Sequence, residues 1–182
     1  MQNNKKKHIA LFGSVNELVF AALMCALSGV LKLIAPTGTT WRIGLENFPI
    51  IFSGIVLGPF VGAVVGTVSD LLGCLLCAYT VNPLITFASM LVGLLSGLTF
   101  KAFKTKKSVG VAVSVFVAHL AANAFVKTIA LCIWYSTPFV ITLMERTATY
   151  FITAIVETVI LLILFKNKSI KIGLKKLVDH EL

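Results

Sequence analysis

Residues Gly58–Gly73 read GPFVGAVVGTVSDLLG, a run of small and apolar side chains that contains one carboxylate, Asp70. Gly58-Pro59 is a stop-and-restart signal, because glycine suits the position after a helix and proline the first turn of the next. A helix from Pro59 to about Cys77 puts Gly62, Gly66, Ser69, Asp70 and Gly73 on one face. In lipid, small faces let helices approach closely. Asp70 is therefore expected to point into a helix bundle, where an ionisable side chain marks a functional site. This one stretch predicts a membrane bundle and an interior polar site together.

The rest of the chain supports the bundle. It has 182 residues, 58% of them hydrophobic and only 13% charged, with a mean hydropathy of +0.97. Soluble domains carry about a quarter charged residues. A crossing takes roughly 20 apolar residues, so the chain has room for about six and none for a soluble domain beside them. The expected fold class is an all-α membrane protein, a single transmembrane domain over 1–182 built as a bundle of six helices. These are placed at about 14–35, 47–58, 59–77, 83–103, 109–135 and 138–165, with basic tails at 1–13 and 166–182. Pro36-Thr37-Gly38 and Asn82-Pro83 supply further breaks. The second helix is short for a span and is expected to be tilted or interrupted.

A net charge of +9 invites a nucleic-acid partner, but its distribution excludes one. Twelve of the 16 Lys and Arg fall into three patches: Lys5 to Lys7, Lys101 to Lys107, and Lys166 to Lys176. Six crossings place all three on one side, and five or seven would scatter them. Basic patches flanking spans face the cytoplasm, so both termini are expected there, against anionic lipid headgroups. Cys74 and Cys77 form a C-x-x-C inside an apolar helix with no second Cys/His pair nearby. Packing is the simpler reading, since a free cysteine behaves as a small hydrophobe.

Several polar groups join Asp70. Lys32 lies near the outer end of the first helix, and Arg42 and Glu46 lie on the first outer loop. His119, Asn123 and Lys127 form an i, i+4, i+8 stripe on the fifth helix. Arg146 lies on the outer half of the sixth beside Glu145, and Glu157 lies deeper. Trp41, Trp134 and Tyr135 sit near the outer boundary, where aromatic belts form. If Lys127 and Arg146 face inward they suit an anionic ligand, Arg as a carboxylate fork and Lys as a point charge. A salt-bridge network with Glu46, Asp70 and Glu145 is the alternative. No nucleotide-binding loop, H-E-x-x-H or G-x-S-x-G is present. The sequence therefore predicts no catalytic residue, no metal site, no cofactor and no enzyme activity.

The ordered set of a small pair on the first helix (Ala22, Ala26), then WRIGLENFPIIFSGIVLGPFVGAVVGTVSDLLG, then NPLITFASMLVGLLSGL, resembles the substrate-binding S components of energy-coupling factor (ECF) vitamin transporters. Arg42-Ile43-Gly44 before Phe48-Pro49-Ile50, and Thr137-Pro138-Phe139 followed by Arg146, resemble the folate-specific type. The resemblance covers about residues 18–165. It departs from the folate pattern at Gly44 to Pro49 and at the Asn82 to Thr86 entry to the fourth helix. The resemblance implies a prokaryotic cell-membrane protein that captures a vitamin from outside. It would dock by Ala22 and Ala26 onto a transmembrane coupling protein bearing two cytoplasmic ATPases. For folate, it implies that Asp70 or Glu46 reads the pterin. Arg42, Lys127 and Arg146 would hold the glutamyl tail, and Trp134 or Trp41 would stack on the ring. His119 and Asn123 complete the expected ligand-binding set. The alternatives are an S component for pantothenate, a queuosine precursor or a hydroxymethylpyrimidine, or a secondary transporter coupled to protons through Asp70 or Glu157.

Overall fold

The computed structural model describes residues 15–37, 43–103 and 107–177, with Lys107, Lys171 and 175–177 described as backbone only. The described residues form α1 (Val15–Ile34), α2 (Phe48–Leu57), α3 (Pro59–Leu76) and α4 (Pro83–Ala102). These are followed by α5 (Lys107–Ala118), a π-helical segment (His119–Val126), α6 (Lys127–Tyr135), α7 (Phe139–Lys166) and α8 (Lys168–Leu177). α5, the π segment and α6 are continuous and form one crossing-length helix. With α1, α3, α4 and α7, five helices are long and apolar enough to cross a membrane, and α2 is the short sixth. This is an all-α membrane bundle.

The breaks have local causes. Gly58 takes φ 96°, a backbone that favours glycine, and Pro59 opens α3. The Asn82 side chain caps α4 by accepting from the Leu84 N–H at 3.0 Å, with Pro83 in the first turn. α3 ends in a reversal in which the Tyr79 N–H donates to the Cys74 carbonyl at 2.9 Å, with Ala78 left-handed at φ 53°.

One end of the bundle carries Lys101 and Lys166; call it the basic end. α2, α3 and α4 form a tight seam that runs from that end to mid-bundle. An added Cβ at Gly62 would lie 2.6 Å from Gly54 Cα and 2.7 Å from the Gly93 carbonyl oxygen. One at Gly97 would lie 2.6 Å from Pro59 Cα. The glycine repeats thus serve packing within the chain. Beside the seam, Phe52 stacks on Phe48 at 6.0 Å and meets Phe165 edge-on at 5.8 Å. Phe165 in turn stacks on Phe100 at 6.3 Å.

The opposite end is built differently. At 10 residues, α2 is about 15 Å long, half of a hydrocarbon core of about 30 Å. The chain before it descends along α1, where Ser28 Oγ donates to the Glu46 carbonyl at 2.7 Å. Irregular backbone at such depth is tolerated when protein covers it. The short second helix leaves the far half of the bundle to loop and side chains, and the polar residues collect there.

The basic tail after α7 includes a further helix, α8. Asn167 Oδ1 caps it by accepting from the Ser169 N–H at 3.0 Å. Leu174 is buried and Ile170 packs on the core. The i, i+4 spacing of these two residues, in a segment otherwise rich in lysine, is the amphipathic signal that a reading by charge alone passes over.

Candidate functional site

Asp70 lies on the buried face of α3, as the glycine spacing implies. Its Oδ1 accepts from the Lys32 ammonium at 2.8 Å and its Oδ2 from the Thr86 hydroxyl at 2.8 Å. Three helices, α1, α3 and α4, are thereby tied at one carboxylate. Gly73 makes the tie possible. An added Cβ there would overlap the Lys32 side chain, whose stem lies across the notch. Glu46 lies within electrostatic range of Lys32. A carboxylate offers about four lone-pair sites, so Asp70 retains capacity for further donors beyond these two.

Lys127 and Arg146 stand at one depth. Counting back from the 136–138 turn at 1.5 Å per residue, Lys127 lies about 12 Å down α6 and Arg146 about 10 Å down α7. Both are buried. Arg146 donates through Nη2 to the Tyr150 hydroxyl at 2.8 Å, and its guanidinium lies 5.4 Å from that ring's centre. Its Nε is buried without a hydrogen-bond partner. Lys127 is within electrostatic range of Asp70 and makes no hydrogen bond among the described residues. Lys32 is matched by Asp70 at contact distance, whereas Lys127 and Arg146 have no carboxylate at that distance among the described residues.

Deeper in the bundle, His119 Nε2 is 2.7 Å from Glu157 Oε2, and His119 Nδ1 is 3.1 Å from Asn123 Nδ2. The His119 ring also lies 5.5 Å from the Tyr150 ring. All three polar side chains are buried, Glu157 and Asn123 completely. Glu157 Oε1 and Asn123 Oδ1 have no partner. A cavity of about 40 Å³ lies between the π segment and α7, lined by Phe116, His119, Leu120, Tyr150, Phe151 and Ala154 among others.

The structure thus gathers Asp70, Lys127 and their neighbours in the half that α2 leaves open. Arg146 stands at the same depth as Lys127, and His119 and Asn123 lie below. Glu46 is half-buried beside Lys32. Arg42 and Trp41 lie outside the described residues. Trp134 is not brought into the cluster. It is i+7 from Lys127 and on the same face, but it sits at the end of α6 and is 53% exposed. Ala22 and Ala26 are exposed on α1, away from its buried Ala21, Cys25 and Ser28. The sequence signals for Lys32, Thr86, Tyr150 and Glu157 as site members were weak. Lys32 and Glu157 drew attention as charges inside spans, but their partners lie 38 residues away in each case. All four cysteines are free. No group of three or more His, Cys, Asp or Glu among the described residues could hold a metal ion.

One half of the bundle thus holds a cluster of buried polar groups, several of them without a hydrogen-bond partner among the described residues. Comparison with known proteins specifies the class. Residues 12–170 match the family described as the ECF-type riboflavin transporter, S component. The fold is similar to a crystal structure of FolT bound with folic acid, with TM-score 0.65 and 20% identity, covering 79% of this chain and 91% of that one. It is also similar to the S component of a bacterial ECF transporter, with TM-score 0.64 and 22% identity, covering 82% and 93%. A third is the S component for biotin from an ECF-type ABC transporter, with TM-score 0.65 and 23% identity, covering 92% and 95%. No curated protein sequence matches the chain. The chain belongs to the ECF S-component family. It is a multi-pass membrane transport subunit and not an enzyme.

Proposed function

We propose that this S component captures folate. The observation that carries the reading is the pair of buried cations, Lys127 and Arg146, that have no carboxylate partner at contact distance among the described residues. Burying a charge without compensation is costly, and an anionic ligand supplies the compensation. Folate carries carboxylates on its glutamyl tail, and its pterin offers adjacent N–H donors to Asp70 or Glu46. Arg42 joins the cations and Trp134 stands at the mouth. Both termini and the basic end face the cytoplasm, so the chamber opens outward. The exposed small face at Ala22 and Ala26 docks on the transmembrane coupling protein, whose two ATPases supply the energy. The chain acts as one domain.

Riboflavin is the second reading, favoured by the description of the matched family. Riboflavin is uncharged and brings no carboxylate to contact distance of Lys127 or Arg146. Titration of the purified protein in detergent with folate, riboflavin and pantothenate, followed by tryptophan fluorescence, decides between them. Saturable quenching by folate at nanomolar concentration, with no response to riboflavin, is expected. Tighter binding of riboflavin overturns the folate assignment and leaves the family intact.

A further inference from the structure

The stripe His119, Asn123, Lys127 does not line up on an ideal α-helix. At 100° per residue, positions eight apart diverge by about 80°, whereas Val126, seven residues on, stands almost in line with His119. Yet His119, Asn123 and Lys127 are all buried, while Val126 is only half-buried. The π segment His119–Val126 reconciles the two. Its i→i+5 bonding widens the turn and absorbs about one residue, which brings Lys127 onto the interior face. π turns are rare, so something must hold this one open. His119 fastens the start of the segment to α7 through Glu157 at 2.7 Å and reaches along it to Asn123 at 3.1 Å. Glu157 is fully buried with one oxygen unpartnered, an expensive group to keep in a bundle of apolar helices unless it does something.

We propose that His119 and Glu157 are positioning residues that hold the π turn and so set the register that points Lys127 into the ligand chamber. They act through Lys127, so His119, expected from the sequence to meet the ligand, is assigned instead to Glu157 and Asn123, its partners in the bundle. The inference rests on the reading above that Lys127 meets an anionic ligand group. With the clasp gone, the segment relaxes toward α-helix, Lys127 rotates away, and Val126 takes its place.

The test compares folate with pteroamide, the same pterin–aminobenzoyl unit capped as a neutral amide, with neither glutamyl tail nor carboxylate. Wild type is expected to bind folate at least tenfold more tightly than pteroamide. The double variant His119→Leu/Glu157→Leu removes both members of the buried pair together. It should lose the folate preference, the two affinities drawing level. Adding Val126→Lys/Lys127→Val to that background should restore the preference, because the ammonium returns to the interior face. In the native background the same lysine shift should abolish the preference, which supplies a readout if the double leucine variant does not fold. His119→Gln retains a donor for Glu157 and should retain the preference. A preserved preference in the folded double leucine variant overturns the proposal. So does equal weakening toward both ligands, and so does a lysine shift that leaves the native preference intact. If Lys127→Gln in the native chain leaves the preference unchanged, the ligand reading itself fails and the inference falls with it.

Discussion

Where α2, α3 and α4 meet, an added Cβ at Gly93 would overlap the Gly62 carbonyl, and one at Gly66 would overlap the Ser89 carbonyl. A few turns away, the Arg146 Nε, Glu157 Oε1 and Asn123 Oδ1 atoms are buried with no hydrogen-bond partner among the described residues. The first region has no room for another atom, and the second has polar capacity left over. Both lie in one small bundle made almost wholly of apolar residues. The contrast separates two uses of burial. In the seam, burial is spent on contact between backbones, which is how helices associate where lipid supplies no hydrophobic drive. In the chamber we propose, burial would raise the strength of every interaction a ligand makes.

The sharpest way to break the comparison is to crowd the seam. Gly93→Leu would drive a side chain into the α3 backbone, which cannot yield as a flexible side chain can. Overpacking a close contact costs about 1–3 kcal/mol and occasionally more, and the backbone contact puts this case at the upper end or beyond. Thermal unfolding in detergent should show a large loss of stability, with ligand binding lost alongside it. A folded Gly93→Leu protein with wild-type stability would show that the seam is looser than its geometry.

Asp70 belongs to both regimes, since it ties three helices and lies within electrostatic range of Lys127. Removing one partner of a buried ion pair costs about 3–5 kcal/mol, whereas replacing both by apolar groups is often neutral. Asp70→Ala should therefore destabilise strongly, and Lys32→Met/Asp70→Leu should recover most of that loss. Ligand affinity should fall in both. The pair of variants separates the tie from the recognition. Recovered stability with recovered binding would mean that Asp70 does not read the ligand.

Lys127→Gln marks the chamber side of the contrast. The ammonium makes no hydrogen bond among the described residues, so its loss should leave the unfolding midpoint unchanged or slightly raised. A hydrogen bond to a charged group contributes about 1.5–3 kcal/mol, so folate affinity should fall about 10- to 100-fold. Calorimetric titration checks the second expectation and a thermal melt the first.

How far each region can be read from sequence follows from the range of its interactions. The seam is legible because its signals are local. The glycines recur every four residues, Gly58-Pro59 marks the turn, and Asn82-Pro83 opens α4 as its side chain shows. Burial of Asp70 follows from the same periodicity. The pairings in the chamber do not. Lys32 meets Asp70 and His119 meets Glu157 across 38 residues each, and no spacing rule selects those partners from the other charges. The π turn was hidden because an i, i+4, i+8 stripe passes for an α-helical face until the drift of each step is counted. α8 was hidden because its lysines, Lys168, Lys171, Lys175 and Lys176, read as a topological signal before Ile170 and Leu174 read as a face.

The smallest expected effect lies where the two halves use the same backbone device with different residues. At the basic end, the one described residue with positive φ is Gly58, at 96°. At the chamber end the left-handed positions are Ala78 at 53° and Ser136 at 52°. An L-residue in this conformation costs roughly 1–2 kcal/mol. Glycine removes that strain but gives back about 0.5–1 kcal/mol in the freedom of the unfolded chain. The Ala78 N–H donates to the Leu75 carbonyl at 3.4 Å and the Tyr79 N–H to Cys74 at 2.9 Å. The reversal is therefore already closed, and only the strain would change. Ala78→Gly should stabilise by about 0.5–1 kcal/mol, a rise of about 1–3 °C in the unfolding midpoint for a chain of this size. Because Cys74 carries the carbonyl that closes this turn and its thiol lies 3.9 Å from the Lys32 ammonium, ligand affinity measured in parallel reports whether the strain is used. A variant that is more stable and binds as before shows that the turn is simply imperfect. A more stable variant that binds folate more weakly shows that the chamber end holds its strain for the ligand, as it holds its unpaired cations.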